Sequence, residues 1–301
     1  MISIAMATYN GAKYLREQLD SLFNQTIQDF ELVVCDDCST DNTWQILESY
    51  ATNNSKMRIV ENDKNLGFKG NFEKAIRLCE GDYIALCDQD DIWLPDHLSV
   101  LLDAMDDEIQ IVCGECFFVD EYGQDLGFKH GYLYGLDYKP TNSMDIARHI
   151  FLNIGSVQGT AMLIKRDFFN WALPIPKETV YHDCWFAAIA CFTGGFKFLE
   201  TPVLKYRRHS GEVTIDHKRQ SPMRAFLGRT LVNHQGSDRI VFVREIRQRV
   251  TSLSIEHREL LDMFDKMLKR RKSLIGRLRN VPYLLEYFKP IFGFDGKHLF
   301  R

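Results

Sequence analysis

The feature that most constrains the fold is a texture repeated through the first hundred residues. Short apolar, β-branched stretches alternate with segments whose apolar residues fall at helical spacing. "ISIAMAT" is followed by "KYLREQLDSLF", which carries Leu15, Leu19 and Leu22 on one helical stripe. "FELVVC" then leads through the polar "DDCSTDNT" to the helical "WQILESY", and "RIVEN", "FEKAIRLC" and "YIALC" continue the alternation. Strands that are apolar throughout are buried on both faces. The pattern therefore predicts an α/β protein with a mostly parallel sheet flanked by helices.

In such sheets ligands collect at the carboxyl ends of the strands. Three of the expected strands end in polar loops: "TYN" after the first, "DDCSTD" after the second and "DQDD" after the fourth. The last is the most informative. It sets Asp88, Asp90 and Asp91 within four positions, and like charges that close repel unless water or a cation relieves them. Mg²⁺ and Mn²⁺ are commonly held by one or two carboxylates together with substrate phosphates. The cluster therefore predicts a divalent cation and a nucleotide diphosphate ligand.

From about residue 110 the texture becomes mixed, with a Gly-marked turn in "IQIVCGECFFVDEYG" and a strand feeding a helix in "GTAMLIKRDFF". Beyond Gly211 it turns helical and basic. Residues 1–200 hold 15 Lys and Arg against 31 Asp and Glu, and residues 201–301 hold 22 against 10, so charges of −16 and +12 make up the net −4. A basic amphipathic tail, residues 265–301, is expected either to lie on an anionic membrane surface or to pack as a helical segment or homodimer contact. Nucleic acid would explain the tail but not the acidic half, and is not expected as a partner.

The longest apolar run, "WFAAIACF", is too short to span a bilayer, and "MISIAMATYN" reads as a strand rather than a signal peptide. A cytoplasmic protein is expected, peripheral on the inner face of the membrane if the tail binds lipid. Its eight cysteines are then reduced. Cys35 with Cys38 and Cys113 with Cys116 have zinc-ligand spacing, but Cys35 and Cys113 lie in apolar runs and read as core residues.

Six blocks in order, "MATYNGAKYLREQLDSLFNQT", "FELVVCDDCSTDNT", "NLGFKGNFEKAI", "GDYIALCDQDDIW", "HDCWFAAIA" and "YRRHSGEVT", resemble the family 2 glycosyltransferases, inverting enzymes of GT-A fold. Their "DQDDIW", "HDCW" and "YRRH" forms are most similar to a bacterial rhamnosyltransferase-like branch. The resemblance implies a catalytic domain over residues 1–210 and a helical extension over 211–301. Within the domain, residues 1–100 would form the nucleotide-sugar half and 101–210 the acceptor side.

It also implies roles for individual residues. Thr8, Tyr9, Asn10 and Asp36 would hold the nucleoside. Asp88 would face the donor diphosphate, with Lys69, Arg207 and Arg208 as further cationic contacts. Asp90 or Asp91, with His209, would hold Mn²⁺ or Mg²⁺. Asp183 would take the proton from the attacking acceptor hydroxyl, or else simply cap its helix. His182 stands where many relatives carry Glu. Trp93 and Trp185 are candidates for stacking on sugars or for the core. The implied reaction moves a sugar from a dTDP- or UDP-sugar to a hydroxyl of a glycan or lipid-linked glycan, in bacterial surface polysaccharide synthesis. Two other readings of the residues stay open: a haloacid-dehalogenase-type phosphohydrolase with Asp88 as nucleophile, and a non-catalytic sugar-nucleotide-binding scaffold.

Overall fold

The computed structural model describes residues 1–129, 143–152, 157–179, 181–210, 237–270 and 280. The chain opens with four parallel strands, β1 (Ile2–Thr8), β2 (Phe30–Asp36), β3 (Met57–Glu61) and β4 (Tyr83–Cys87), in the order β3-β2-β1-β4. Helices α1 (Leu15–Phe23), α2 (Thr43–Asn53) and α3 (Gly67–Leu78) make the connections. Ile4, Ala5 and Met6 of β1, and Leu32, Val33 and Val34 of β2, are wholly buried, which puts helices or loops on both faces as the unbroken apolar runs require. The chain reverses its direction of travel across the sheet at β1, whose two neighbours are β2 and β4. That reversal point is where an open α/β sheet leaves a crevice at its strand ends.

The sheet continues as β4-β8-β6-β9-β5, giving nine strands with β7 paired to β6. The added elements are β5 (Ile92–Trp93), α4 (His97–Asp103), β6 (Ile111–Val119), β7 (Asp125–Lys129), α5 (Ser143–Leu152), β8 (Met162–Lys165), α6 (Phe169–Ala172), α7 (His182–Thr193) and β9 (Phe196–Arg207). β8 runs antiparallel between β4 and β6 and so joins the two halves into one sheet. β9 lies parallel to β6, and its last residues pair with β5, returning Arg207 to the loop that follows β4. Gly114 makes the β6–β9 contact possible, because a Cβ there would meet Val203 at 2.6 Å.

Two helices follow, α8 (Ser237–Arg249) and α9 (Ile255–Arg270). Both pack on the core: Phe264 of α9 stacks on Phe151 at 4.5 Å, and Phe242 of α8 lies 5.6 Å from the Trp185 ring. Among the described residues no helix is long and apolar enough to cross a membrane. The expectation of a membrane or dimer contact for residues 265–301 falls, apart from 265–270 and Asn280, outside the described residues.

The structure extends one expected helix and decides between the two readings of the tryptophans. The helix expected over "FEKAIRLC" starts earlier, at Gly67, because the Asp37 carboxylate, from beyond β2, accepts the N–H groups of Leu66 and Gly67 at 2.7 and 2.8 Å and satisfies the helix start. Trp93 and Trp185 are core residues, 2% and 0% exposed, with their indole N–H groups on Thr160 Oγ1 and the Ala172 carbonyl. All eight cysteines are free, Cys35 and Cys113 are buried in the core, and among the described residues no group of three or more His, Cys, Asp or Glu has metal-binding geometry.

Candidate active site

The loops after β1, β2 and β4 meet at the reversal point and are sewn together by hydrogen bonds. Thr8 and Asp36 are register partners, and Thr8 Oγ1 donates to Asp36 Oδ1 at 2.8 Å. Ser39 adds its N–H and hydroxyl to the same carboxylate at 2.8 and 2.6 Å, so Asp36 is held as an acceptor at the crevice floor. Asn10 adopts a left-handed φ of 50°, a conformation Asn tolerates, and its Oδ1 accepts the Thr40 N–H at 2.8 Å. Tyr9 remains about half exposed on the rim.

Gln89, the residue between Asp88 and Asp90, binds both the N–H and the carbonyl of Tyr9, at 2.8 and 3.0 Å. This crossing depends on Gly11, where a Cβ would lie 2.2 Å from Gln89 Oε1. Neither Gln89 nor Gly11 is singled out by sequence, since an amide in an acidic loop carries no signal until its partner strand is known.

The three carboxylates after β4 separate sharply. Asp91 is 1% exposed, and its Oδ1 accepts the Arg207 backbone N–H at 3.1 Å. Its Oδ2 is buried without a hydrogen bond among the described residues, and burial together with the charges of Asp90 and Asp88 raises its pKa well above the usual carboxylate range. Asp90 faces the other way, its Oδ2 lying 2.9 Å from His209 Nε2. Asp88 is half-buried, and desolvation, reinforced by the charges of Asp90 and Asp183, pushes its carboxyl up to about 8. The pair Asp90 or Asp91 thus divides into a carboxylate presented to His209 and one turned into the protein.

Asp183 is the second residue of α7, and its Oδ1 accepts the N–H of Cys184 at 2.6 Å. Burial raises its pKa to about 6, an effect opposed by backbone hydrogen bonds from Cys184 and Gly159. Gly159 holds the contact open: a Cβ there would sit 3.4 Å from Asp183 Cβ and 3.8 Å from Leu86 of β4. Asp183 therefore stands beside the end of β4, within electrostatic reach of Asp88. Its neighbour His182 is packed by Phe72 at 4.5 Å and Phe186 at 5.8 Å, and burial with the nearby Lys69 charge lowers its pKa to about 3. It is a neutral ring in an aromatic cage and carries no charge next to Asp183.

Two expected cationic contacts are directed elsewhere. Lys69 Nζ donates to the carbonyls of Lys177 and Thr179, tying α3 to the loop that precedes α7. The Arg207 guanidinium points inward, to Glu17 and to the carbonyls of Asp90 and Glu121. Arg208 lies 5.7 Å from the Phe118 ring.

The donor set fits a divalent cation. One carboxylate oxygen and one imidazole nitrogen converge at 2.9 Å beside an uncompensated second carboxylate, and the incomplete shell leaves positions for phosphate oxygens and water.

The family model described as glycosyl transferase family 2 matches residues 3–171. The chain belongs to that family. It is 29% identical over 219 residues, 69% of its length, to an uncharacterized glycosyltransferase of Methanocaldococcus jannaschii, covering 70% of that protein. Against a chondroitin synthase of Escherichia coli it is 37% identical over 113 residues, which are 38% of this chain and 16% of the synthase. A Rickettsia felis glycosyltransferase is 30% identical over 70% of this chain, which spans 34% of that protein. Apart from the archaeal protein, then, these relatives are much longer than the stretch they share with this glycosyltransferase.

Among solved structures, Staphylococcus aureus TarS in complex with UDP-GlcNAc superposes with a TM-score of 0.60 at 19% identity, covering 96% of this chain and 81% of that one. A Pyrobaculum calidifontis mannosyltransferase in complex with GDP-Man and Mn²⁺ gives 0.53 at 16% identity, with 94% and 87% covered. These likenesses establish the GT-A fold. Family membership also makes the chain a transferase enzyme, which displaces the phosphohydrolase and scaffold readings. The family match ends at residue 171, before Asp183 and His209.

Proposed function

We propose that the enzyme transfers a sugar, with inversion, from a dTDP- or UDP-linked donor to a hydroxyl of a growing glycan in surface polysaccharide synthesis, as a rhamnosyltransferase-like member of its family. The observation that carries this reading is the meeting of the Asp90–His209 pair with Asp183 and Asp88 at the end of β4. Thr8, Tyr9, Asn10 and Asp36 line the nucleoside side, where buried and backbone-held acceptors suit base N–H and ribose hydroxyl donors. Asp90 and His209 would hold Mn²⁺ or Mg²⁺, which when bound supplies Lewis-acid stabilisation of the leaving diphosphate.

Asp183 supplies the proton acceptor. Inversion needs a base on the sugar face opposite the leaving group, and a carboxylate raised to about 6 is ionised at neutral pH yet more basic than an ordinary aspartate. Asp183 takes the proton of the acceptor hydroxyl as its oxygen bonds to the anomeric carbon, while the glycosyl–oxygen bond breaks and its electrons leave with the diphosphate. The hydrogen bond from Cys184 N–H fixes the direction of the carboxylate.

The organisation follows the same lines, with residues 1–100 serving the nucleotide sugar, 101–210 the acceptor, and 211–301 appended. Calorimetric titration with UDP-, dTDP- and GDP-sugars, with and without Mn²⁺, tests the core of the reading. Binding of at least one donor, strengthened by Mn²⁺ in the wild type but not in Asp90→Ala, is expected. No affinity for any sugar nucleotide under either condition would overturn it.

A further inference from the structure

Arg207 is 2% exposed yet carries a permanent charge, and the one acidic side chain that pairs with its guanidinium among the described residues, Glu17, is itself more than half exposed. Burying a guanidinium costs several kcal/mol, and buried ion pairs can often be replaced by apolar side chains without loss of stability. A stability role alone is thus a weak reason for this side chain. What the arginine does is touch three elements at once. Its Nε donates to the Asp90 carbonyl at 2.8 Å, Nη1 to the Glu121 carbonyl of the β6–β7 turn at 3.2 Å, and Nη2 to Glu17 of α1 at 2.5 Å. Its guanidinium carbon lies 4.7 Å from the centre of the Tyr14 ring, and the same ring lies 4.8 Å from the His209 imidazole.

Both members of the Asp90–His209 pair are therefore referenced to one rigid fork. Asp90 is fixed through its own carbonyl, and His209 through the Tyr14 ring that the guanidinium abuts. Tyr14 and Glu17 are three residues apart at the start of α1 and so share a helix face, which lets one arginine engage both. A lysine could keep the charge, but it could not span the Asp90 carbonyl, the Glu121 carbonyl and Glu17 with fixed geometry.

The geometry points to Arg207, with Tyr14 and Glu17, as the positioning group that aligns Asp90 and His209 for the donor's divalent cation. This rests on the reading of that pair as the cation site. The chemistry is general: orienting partners behind metal ligands typically alter affinity by about 10–100-fold when removed.

The test measures Mn²⁺ binding to the full chain in the presence of UDP, by the electron paramagnetic resonance signal of free Mn²⁺, for wild type, Arg207→Lys and Glu17→Gln. Thermal melting without metal is recorded beside it. Arg207→Lys is expected to weaken Mn²⁺ binding about tenfold, and Glu17→Gln to weaken it by a smaller factor with melting unchanged. A purely structural arginine would instead lower the melting temperature and leave Mn²⁺ affinity where it was. Should Arg207→Lys fail to fold, Glu17→Gln decides alone, since Glu17 is a surface side chain. Wild-type Mn²⁺ affinity in the folded variants overturns the positioning role. Absence of UDP-dependent Mn²⁺ binding in the wild type overturns the cation reading itself, and the positioning role with it.

Discussion

The acids at the end of β2 and those that follow β4 stand on either side of β1, and they are satisfied in opposite ways. Asp36 accepts three hydrogen bonds, from Thr8 and from the N–H and hydroxyl of Ser39, and Asp37 accepts three, from Leu66, Gly67 and Asn62. Each is a charge whose partners are built into neighbouring loops. Across β1, Asp88 is pushed up to about 8, Asp91 keeps one buried oxygen without a hydrogen bond among the described residues, and the Asp90 carboxylate meets the ring of His209. The first loop gives its carboxylates fixed donors within the protein. The second leaves them in mutual repulsion, a state that a cation relieves and that an apolar or fully bonded loop would avoid. Local instability of this kind marks functional ground more reliably than the presence of acids alone.

The largest effect expected from this contrast is on turnover. Asp183→Asn removes the base while keeping the shape and the Cys184 hydrogen bond, so transfer should fall by about 10³-fold or more. Donor affinity, measured calorimetrically, should stay within a small factor of wild type. Near-normal turnover in Asp183→Asn would remove Asp183 from the mechanism. Alanine at the two flanking loops should then separate them by kind of effect. Asp90→Ala should abolish the dependence of donor binding on Mn²⁺ while leaving metal-free stability the same or higher, because a repelling charge is gone. Asp37→Ala should do the reverse. It strands two N–H groups at the start of α3 and the Asn62 amide, and should cost about 2–4 kcal/mol in denaturant unfolding, with Mn²⁺ dependence retained. Equal destabilisation by the two substitutions would erase the distinction.

Much of this was legible in the residues, and the limits were physical. β4 ends at Cys87 where the apolar run ends and Thr8 closes β1, because strand ends are local properties of pattern, while β2 runs one residue past its apolar run to Asp36. β9 was not legible, since "FKFLETPVLKYR" is interrupted by Glu200, Thr201 and Pro202 and gains its strand character from β6 and β5. The choice between Asp90 and Asp91 had the same origin. Both acids lie in the bend between β4 and β5, where no strand alternation assigns their sides, and only the pairing of the Arg207 N–H with Asp91 decides which one turns inward. Lys69 and Arg207 looked like phosphate ligands because a cation near an acidic cluster is ambiguous until its direction is known. Their carbonyl partners lie more than eighty residues away in sequence.

The smallest effect is the most diagnostic of environment. Asp183 has a folded pKa near 6, above the ordinary value that applies in the unfolded chain. Its protonated form therefore adds stability that is fully present below about pH 4 and is lost as pH rises through about 6. The buried imidazoles of His97 and His182, held near 3, have the opposite sign. Their contribution is present above about pH 6.5 and is lost as pH falls toward 3. Between pH 4 and 6.5 the two trends oppose each other in the wild type. Asp183→Asn removes only the first, so its melting temperature should climb more steeply with pH across that window than the wild type's. Turnover of the wild type should rise over the same interval, with an acid limb near 6, because the base works only when ionised. A limb near 4, or parallel melting profiles for the two proteins, would mean that Asp183 sits in a wetter and less burdened place than the acids at the end of β4 imply.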